Sequence, residues 1–167
     1  MTFFLTIVAV IGAYLLGSVP TAYLVTKWRR GVDVRHKGSG QVGGSNVWHS
    51  VSRRLGVAVA AADVMKGVVV ILVSRWVGLG VGGQVLAGLA AICGHNWSVF
   101  LRFGGGRGIA TLGGVILVLA PWETAVFGGF VVLGLVVRSV PLAILLGVIA
   151  LPLSAWFWNE PGPMLLG

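Results

Sequence analysis

The chain has 167 residues, of which 57% are apolar and only 10% are charged, with twelve Lys and Arg against four Asp and Glu. A soluble domain carries roughly 25% charged residues, and a chain this short cannot bury so much apolar surface in a globule. The composition therefore excludes a soluble enzyme and a disordered chain, and in a membrane protein the basic excess indicates cytoplasmic loops that meet anionic ligands or head groups.

Six apolar stretches follow one another along the chain, and about 20 apolar residues are enough to cross the hydrocarbon core of a bilayer. The first stretch lacks the basic start and the cleavage site of a signal peptide, so we interpret it as a span. We expect an all-α polytopic transmembrane helix bundle that forms one domain over residues 1–167. The predicted spans cover about residues 3–25, 55–74, 77–94, 108–121, 124–138 and 140–158.

The distribution of basic residues predicts the orientation of the bundle. Residues 27–54, between the first two spans, carry seven Lys and Arg and a single acid, Asp33. The positive-inside rule assigns this segment to the cytoplasm and the N-terminus to the outside. Alternation of the spans then puts Arg102 and Arg107 on the cytoplasmic side as well, so we expect the glycine-rich loops to lie on that face.

The first glycine-rich segment, residues 35–46, is called loop one. Its spacing matches G-x-G-x-x-G, but a basic run precedes it where a dinucleotide-binding motif needs a strand. Glycines leave backbone N–H groups free to face an anion, and Arg35 and Lys37 supply positive charge. A flexible basic loop near lipid head groups is the alternative. The motif glycines are Gly38, Gly40 and Gly43.

Two charged residues, Asp63 and Lys66, lie three apart in the second predicted span and therefore share a helix face. Each would cost roughly 2.5–3.5 kcal/mol at the centre of a bilayer, so they should pair and face the interior. One interpretation is that Lys66 lines an anion site and Asp63 orients it. The alternative is a structural pair that neutralises itself.

The second glycine-rich segment contains the run Gly104–Gly108, called loop two, in which Arg107 precedes the start of a predicted helix. A glycine-rich turn at a helix N-terminus is a common phosphate-binding arrangement, although no Walker A sequence is present. A tight interhelical turn is the alternative. His95 and Asn96 lie at the end of the third predicted span, directly after residue 94. His95 could be a general base, a hydrogen-bond donor to a phosphate or an interfacial hydrogen-bonded residue. The histidines show no metal-ligand spacing, so we predict no metal site.

Together these motifs resemble the bacterial membrane glycerol-3-phosphate acyltransferase that uses acyl phosphate as donor. The resemblance covers roughly residues 17–115 by motif, in the order and spacing of the family, and the rest by its pattern of spans. The motifs that carry it are Gly17–Pro20, Asp33–Arg35, Gly38–Val47, Asp63–Gly67, Gly94–Asn96 and Phe100–Thr111.

This resemblance implies transfer of a fatty acyl chain from acyl phosphate to the hydroxyl of sn-glycerol 3-phosphate. The products would be lysophosphatidic acid and phosphate, in the first step of phospholipid synthesis. The implied partners are these two substrates and membrane lipid, with no cofactor, metal or nucleic acid. The implied location is the bacterial inner membrane, with an active site that faces the cytoplasm.

The resemblance also implies roles for individual residues. The essential Ser and Arg of the family's first motif correspond to Ser39 and Arg35, and loop two corresponds to the glycerol-3-phosphate loop. We predict catalytic roles for Ser39, Arg35 and His95, with structural support from Asp63. The predicted substrate- and phosphate-binding residues are Gly38, Gly40, Gly43, Ser45, Asn46, Lys66, Asn96, Gly104, Gly105, Gly106, Arg107 and Gly108.

The chain departs from the family pattern at several positions. Gln41 replaces an Asn, Gly44 and Ser45 replace an Ala and a Thr, and in loop two a Lys is lost at Gly104 and another is replaced by Arg107. The family's seventh span and third motif would lie beyond Gly167. These departures predict a C-terminally incomplete acyltransferase-like domain. They leave open two alternatives, an inactive or truncated homologue and a non-enzymatic membrane protein that binds or passes an anion.

Overall fold

The computed structural model describes residues 2–137, 139, 142 and 145–150. Over these residues the chain forms seven α-helices with defined ends, a further helical stretch at 145–150, two short 3-10 helices and no β-strand, which confirms the predicted all-α class. The helices are α1 (Thr2–Ser18), α2 (Thr21–Arg30), α3 (Gly44–Ser50), α4 (Arg53–Trp76), α5 (Val81–Asn96), α6 (Ile109–Leu119) and α7 (Pro121–Val136).

The first predicted span, residues 3–25, contains a break between two helices. The helix stops at Ser18 and restarts at Thr21. Pro20 has no N–H for the helical ladder and disfavours helical backbone at Val19, which accounts for the break. The segment Phe3–Arg30 as a whole and α4 are the two segments of the described chain that are long and apolar enough to cross a membrane.

Four predicted spans correspond to helices with shifted ends. The stretches 55–74, 77–94, 108–121 and 124–138 contain most of α4, α5, α6 and α7. The last three of these helices have 16, 11 and 16 residues, shorter than the roughly 20 that cross a bilayer unaided. The sixth predicted span, 140–158, lies mostly outside the described residues. The number of spans and their orientation therefore stay predictions.

The basic segment 27–54, expected as a loop, is more ordered than its polarity suggested. It contains α3 and a 3-10 helix at Val34–His36. Three of its valines are buried together with Ala22 of α2 and Val59 of α4, and they give the segment a small apolar core of its own. Burial of these few side chains overrides the polar composition around them. The three valines are Val34, Val42 and Val47.

Glycines let the long helices approach each other closely. A Cβ atom at Gly17 would run into the backbone of Ala91 on α5, and one at Gly114 would run into the backbone of Val64 on α4. Small residues at such contacts are typical of helices packed in lipid. The chain divides into two compact units, residues 1–118 and 119–167, and every predicted site residue falls in the first. The prediction of a single domain stays a prediction.

Candidate active site

The break between α1 and α2 is closed by a buried lysine. Lys66 Nζ donates to the Val19 carbonyl at 2.5 Å, to Asp63 Oδ1 at 2.8 Å and to the Thr21 hydroxyl at 3.3 Å. An ammonium group has three protons, and three acceptors already take them. The predicted role of Lys66 as a phosphate ligand stays a prediction, but this geometry does not favour it, because all three N–H donors of the ammonium already have acceptors within the protein.

Asp63 is the acceptor at the centre of the same cluster and is fully buried. Its Oδ1 atom accepts from the Thr21 hydroxyl at 2.5 Å as well as from Lys66, while its Oδ2 atom is buried without a hydrogen-bond partner among the described residues. The pair thus joins α4 to the start of α2. Of the two interpretations of Asp63 and Lys66, this geometry favours the structural one, and it fits the supporting role predicted for Asp63.

His95 connects this cluster to loop two. Its Nδ1 atom lies 3.6 Å from Asp63 Oδ1, and its backbone carbonyl accepts a hydrogen bond from the Gly106 N–H at 3.1 Å. A Cβ atom at Gly106 would collide with His95 Nε2. The buried imidazole is therefore held between the carboxylate on one side and the loop backbone on the other.

Loop two is in direct contact with loop one. The Val42 N–H of loop one donates to the Gly105 carbonyl of loop two at 3.2 Å. Loop two is also held by the segment after α5, where the Ser98 N–H donates to the Gly104 carbonyl at 3.2 Å. A side chain at Gly105 would collide with the backbone carbonyls of α5, at His95 and Asn96. Loop two can therefore pack this closely against α5 only because residue 105 is a glycine.

The end of loop two leads into α6. Gly108 has a left-handed backbone with φ of +70°, and the next residue begins the helix. The Asn96 Oδ1 atom lies beside Gly108 and, among the described residues, is buried without a hydrogen-bond partner. Arg107 is exposed. Unpaired N–H groups at a helix start, a glycine turn and an exposed Arg are the components of an anion-binding site.

Loop one is organised by one buried side chain. The Asn46 Nδ2 atom donates to the carbonyls of Val34, Lys37 and Gln41 at 2.9–3.2 Å. Its Oδ1 atom accepts from the Ser39 N–H at 3.1 Å. Asn46 was predicted as a substrate ligand, but its carboxamide is occupied by the loop backbone. We therefore interpret it as the residue that shapes the loop.

Ser39 lies at the exposed turn that Asn46 holds. Gly38 and Gly40 on either side have φ of +53° and +73°, a backbone that favours glycine. The Ser39 hydroxyl makes no hydrogen bond within the described residues, and Ser45 is exposed nearby in the sequence. Gly43 has extended backbone and precedes α3. The loop thus presents a free hydroxyl on a constrained turn.

Arg35 is oriented by two neighbours that the sequence analysis did not pair with it. Its Nε atom lies 3.0 Å from Asp33 Oδ1 and its Nη2 atom 2.7 Å from Asp33 Oδ2, while its guanidinium stands 4.9 Å from the centre of the Tyr23 ring. The Arg35 guanidinium holds the pKa of the Asp33 carboxyl well below its usual range. The side chain is nonetheless 42% exposed, so its remaining donors can reach a ligand.

Sequence reasoning also missed the residues around the helix break. Thr21 ties α2 to Asp63, and the Ser98 hydroxyl donates to the Ser18 carbonyl at 2.5 Å. A small cavity next to these residues is lined in part by Lys66 and His95. The position of Thr21 directly after Pro20 was the available signal, because carbonyls freed by a proline break need donors. Within the described chain no three His, Cys, Asp or Glu side chains cluster as a metal site requires.

Comparison with known proteins places this geometry in a family. The family described as "Glycerol-3-phosphate acyltransferase" matches residues 7–167. The chain is 48% identical to glycerol-3-phosphate acyltransferase 5 of Dehalococcoides mccartyi over 154 residues, covering 92% of this chain and 66% of that protein. It is 39% identical to glycerol-3-phosphate acyltransferase 2 of Moorella thermoacetica over 166 residues, covering 96% and 82%.

Two solved structures share the fold. The glycerol 3-phosphate form of PlsY (YgiH), an integral membrane glycerol 3-phosphate acyltransferase, superposes with a TM-score of 0.84 at 33% identity, covering 93% of this chain and 78% of that one. The lysophosphatidic acid form gives 0.82 at 32% identity.

The chain is shorter than some of its relatives. It spans 66% and 63% of the lengths of two Dehalococcoides mccartyi acyltransferases to which it is 48% and 46% identical. The family match nevertheless extends over nearly the whole chain. The predicted resemblance is thereby confirmed, and with it the membrane nature of the protein: the chain belongs to the glycerol-3-phosphate acyltransferase family.

Proposed function

We propose that this chain transfers a fatty acyl group from acyl phosphate to sn-glycerol 3-phosphate. An ester bond forms between a glycerol hydroxyl oxygen and the acyl carbon, and the bond from that carbon to the phosphate oxygen breaks. The hydroxyl proton leaves with the phosphate, so the products are 1-acyl-sn-glycerol 3-phosphate and inorganic phosphate. The relatives named as glycerol-3-phosphate acyltransferases support the reaction class.

The observation that carries this proposal is the contact between loop one and loop two through the Val42 N–H and the Gly105 carbonyl. Both substrates carry a phosphate group, so one site must hold two anions next to each other. Two basic, glycine-rich loops that touch supply two adjacent sets of donors. A reaction between two substrates that each carry a phosphate needs two adjacent anion sites, whereas a carrier of one anion does not.

The two loops would divide the substrates between them. Loop two and the start of α6 would hold the phosphate of glycerol 3-phosphate, with Arg107 adding charge. Arg35 and the exposed Ser39 hydroxyl would bind the acyl phosphate. Acyl phosphate has a good leaving group, so orientation and anion stabilisation can carry the transfer without a covalent enzyme intermediate.

His95 would act as a positioning residue. Its imidazole is confined between Asp63 and Gly106, and its carbonyl holds the Gly106 N–H. This arrangement supports a role in seating loop two more than direct proton transfer. The substrate phosphate is then the group that takes the hydroxyl proton.

The membrane location fits this chemistry. The acyl chain would enter from the bilayer, and the polar acceptor would enter from the cytosol. The basic residues of segment 27–54 and loop two would lie on the cytoplasmic face of a bacterial inner membrane. A site at that interface can reach both substrates.

The test is acylation of labelled glycerol 3-phosphate by this chain in membranes that lack other acyltransferases, with acyl phosphate or acyl-CoA as donor. We expect lysophosphatidic acid and free phosphate from acyl phosphate alone. Product formed from acyl-CoA alone would refute acyl phosphate as the donor. Absence of product from both donors, with the folded chain present in the membrane, would refute the proposal.

Two substitutions test the proposed residues. Arg35→Ala and Ser39→Ala should each abolish turnover while expression in the membrane stays unchanged. Ser52→Ala is a matched control, because the Ser52 side chain makes no capping hydrogen bond at the start of α4. Wild-type activity in either test variant would overturn the assignment of that residue.

A further inference from the structure

A groove between α2 and α4 is not used by the proposed reaction. Its volume of about 440 Å³ falls within the roughly 300–1,000 Å³ typical of small-molecule sites. It contains no residue of loop one or loop two. It is lined by Val25, Trp28, Arg29, Arg30, Leu55 and Ala58.

The lining combines an aliphatic wall with a cationic rim. The Arg29 guanidinium lies 4.5 Å from the centre of the Trp28 ring. Stacking on an aromatic face leaves the in-plane N–H donors of a guanidinium free, and these donors suit the oxygens of a phosphate. Trp28 itself is 79% exposed, as expected for a tryptophan at a membrane–water interface. The groove therefore suits a molecule with an anionic head and an apolar tail.

The charge around the groove is not neutralised within the described residues. Asp33 is paired with Arg35, and Asp63 is paired with Lys66. No carboxylate of the described chain lies within ion-pair distance of the cations at the C-terminal end of α2 or the N-terminal end of α4. These unpaired cations are Lys27, Arg29, Arg30, Arg53 and Arg54. An anion, and not a second cation, is the complement of this surface.

We propose that the groove binds one anionic glycerophospholipid of the surrounding bilayer. The phosphate would lie against Arg29 and Arg30, and an acyl chain would lie along Val25, Leu55 and Ala58. The ammonium group of a zwitterionic lipid would meet unpaired cations, which disfavours it. The groove contains no residue of loop one or loop two, the two loops that the proposed reaction uses, so we assign its occupant as a resident lipid and not a substrate. This inference does not depend on the proposed reaction.

The test measures lipid binding to the purified full chain in detergent micelles by native mass spectrometry. Phosphatidylglycerol and phosphatidylcholine are titrated separately, and we expect one tightly bound phosphatidylglycerol. Because each basic residue near a membrane surface is worth about 1 kcal/mol of attraction, Arg29→Gln/Arg30→Gln should weaken its binding about thirty-fold. The control Arg75→Gln/Arg102→Gln removes the same charge outside the groove and should have little effect.

A second pair of variants separates the groove from general surface charge. Ala58→Trp fills the groove without changing any charge and should abolish tight binding. Val57→Trp is the matched control, because Val57 is 55% exposed and does not line the groove. Equal binding of both lipids would overturn the proposal, and so would unchanged binding in Ala58→Trp. If the double Arg variant fails to fold, as judged by circular dichroism, the Ala58→Trp and Val57→Trp pair decides the question.

Discussion

Loop one and loop two are both basic and rich in glycine, yet they are held in different ways. Loop one is shaped from within, because the carboxamide of Asn46 binds three carbonyls and one N–H of the same segment. Loop two is shaped from outside, because Gly105 and Gly106 lie against the end of α5 and against Val42. The polarity of one side chain maintains the first loop, and the absence of side chains maintains the second.

This difference predicts which substitutions damage each loop. Loop one should keep its conformation when its exposed side chains are changed and lose it when its central carboxamide is removed. Loop two should lose its conformation when a side chain is added at Gly105 or Gly106, or when the buried cluster around Asp63 and Lys66 is disrupted. The predictions below test that contrast.

The largest effect on stability is expected in the buried cluster next to loop two, which consists of Thr21, Asp63, Lys66 and His95. Lys66→Met leaves Asp63 as a buried charge without its cation and should cost about 3–5 kcal/mol of stability. The double variant Asp63→Asn/Lys66→Met removes both charges and should be considerably more stable than the single variant. Reversible unfolding in mixed SDS and detergent micelles measures both. Equal losses in the two variants would show that the unpaired Asp63 carboxylate is not what destabilises Lys66→Met.

The next effect is expected at the glycines of loop two. Gly105→Ala forces a methyl group into the carbonyls of His95 and Asn96, so the loop must move, and a displacement of about 1 Å can reduce turnover roughly 100-fold. Gly104→Ala is the matched control, because its Cβ would meet only the Leu101 carbonyl, at 3.3 Å. Steady-state acylation assays compare them. Similar activity in the two variants would show that the contacts with α5 do not hold loop two in place.

A smaller loss, of stability, is expected when the central side chain of loop one is removed. Asn46→Ala leaves the Gln41 carbonyl and the Ser39 N–H without the partner that Asn46 provides and should cost about 1–3 kcal/mol of stability. The exposed Ser45→Ala should leave stability unchanged. The accessibility of loop one to limited proteolysis should rise in Asn46→Ala and not in Ser45→Ala. Wild-type protease resistance in Asn46→Ala would show that other contacts hold the loop.

The smallest effect is expected at Asp33. Exposed ion pairs are worth about 0–1 kcal/mol, so Asp33→Asn should raise the KM for acyl phosphate no more than about five-fold by releasing Arg35. A fall in KM would show instead that Asp33 competes with the substrate for Arg35.

The same ion pair predicts a flat pH response near neutrality. The pKa of Asp33 is depressed in the folded chain, so the pair is intact above the ordinary aspartate pKa and is lost only as the pH falls through the depressed value. Activity between about pH 6 and pH 8 should therefore show no inflection that Asp33→Asn removes. An inflection in that range that disappears in the variant would contradict this.

Residue chemistry and spacing were enough to identify the candidate loops, and they also showed that Asp63 and Lys66 must pair. They did not show which partner each polar group finds. Asn46 and Lys66 were predicted to bind substrate because both are polar and belong to functional motifs. In the structure the donors of Asn46 are taken by carbonyls of loop one and its flanking residue Val34, and those of Lys66 by the Val19 carbonyl, the Thr21 hydroxyl and Asp63, and most of these acceptors come within reach only when the chain has folded.

The break in the first span shows the same limit. Pro20 was visible in the sequence, but apolar composition on both sides favoured one helix of about 23 residues. The break is stable because Lys66, 47 residues away along the chain, donates to the freed Val19 carbonyl.

The composition of the chain identifies a helical membrane protein, and its motifs identify the family. These properties follow from composition and local spacing, which the chain carries before it folds. The folded arrangement of the helices was needed to see that the two loops touch, that Lys66 closes a helix break, and that a groove with unpaired arginines remains between α2 and α4. Each of these depends on atoms that are distant in the chain, and helix packing alone brings them together.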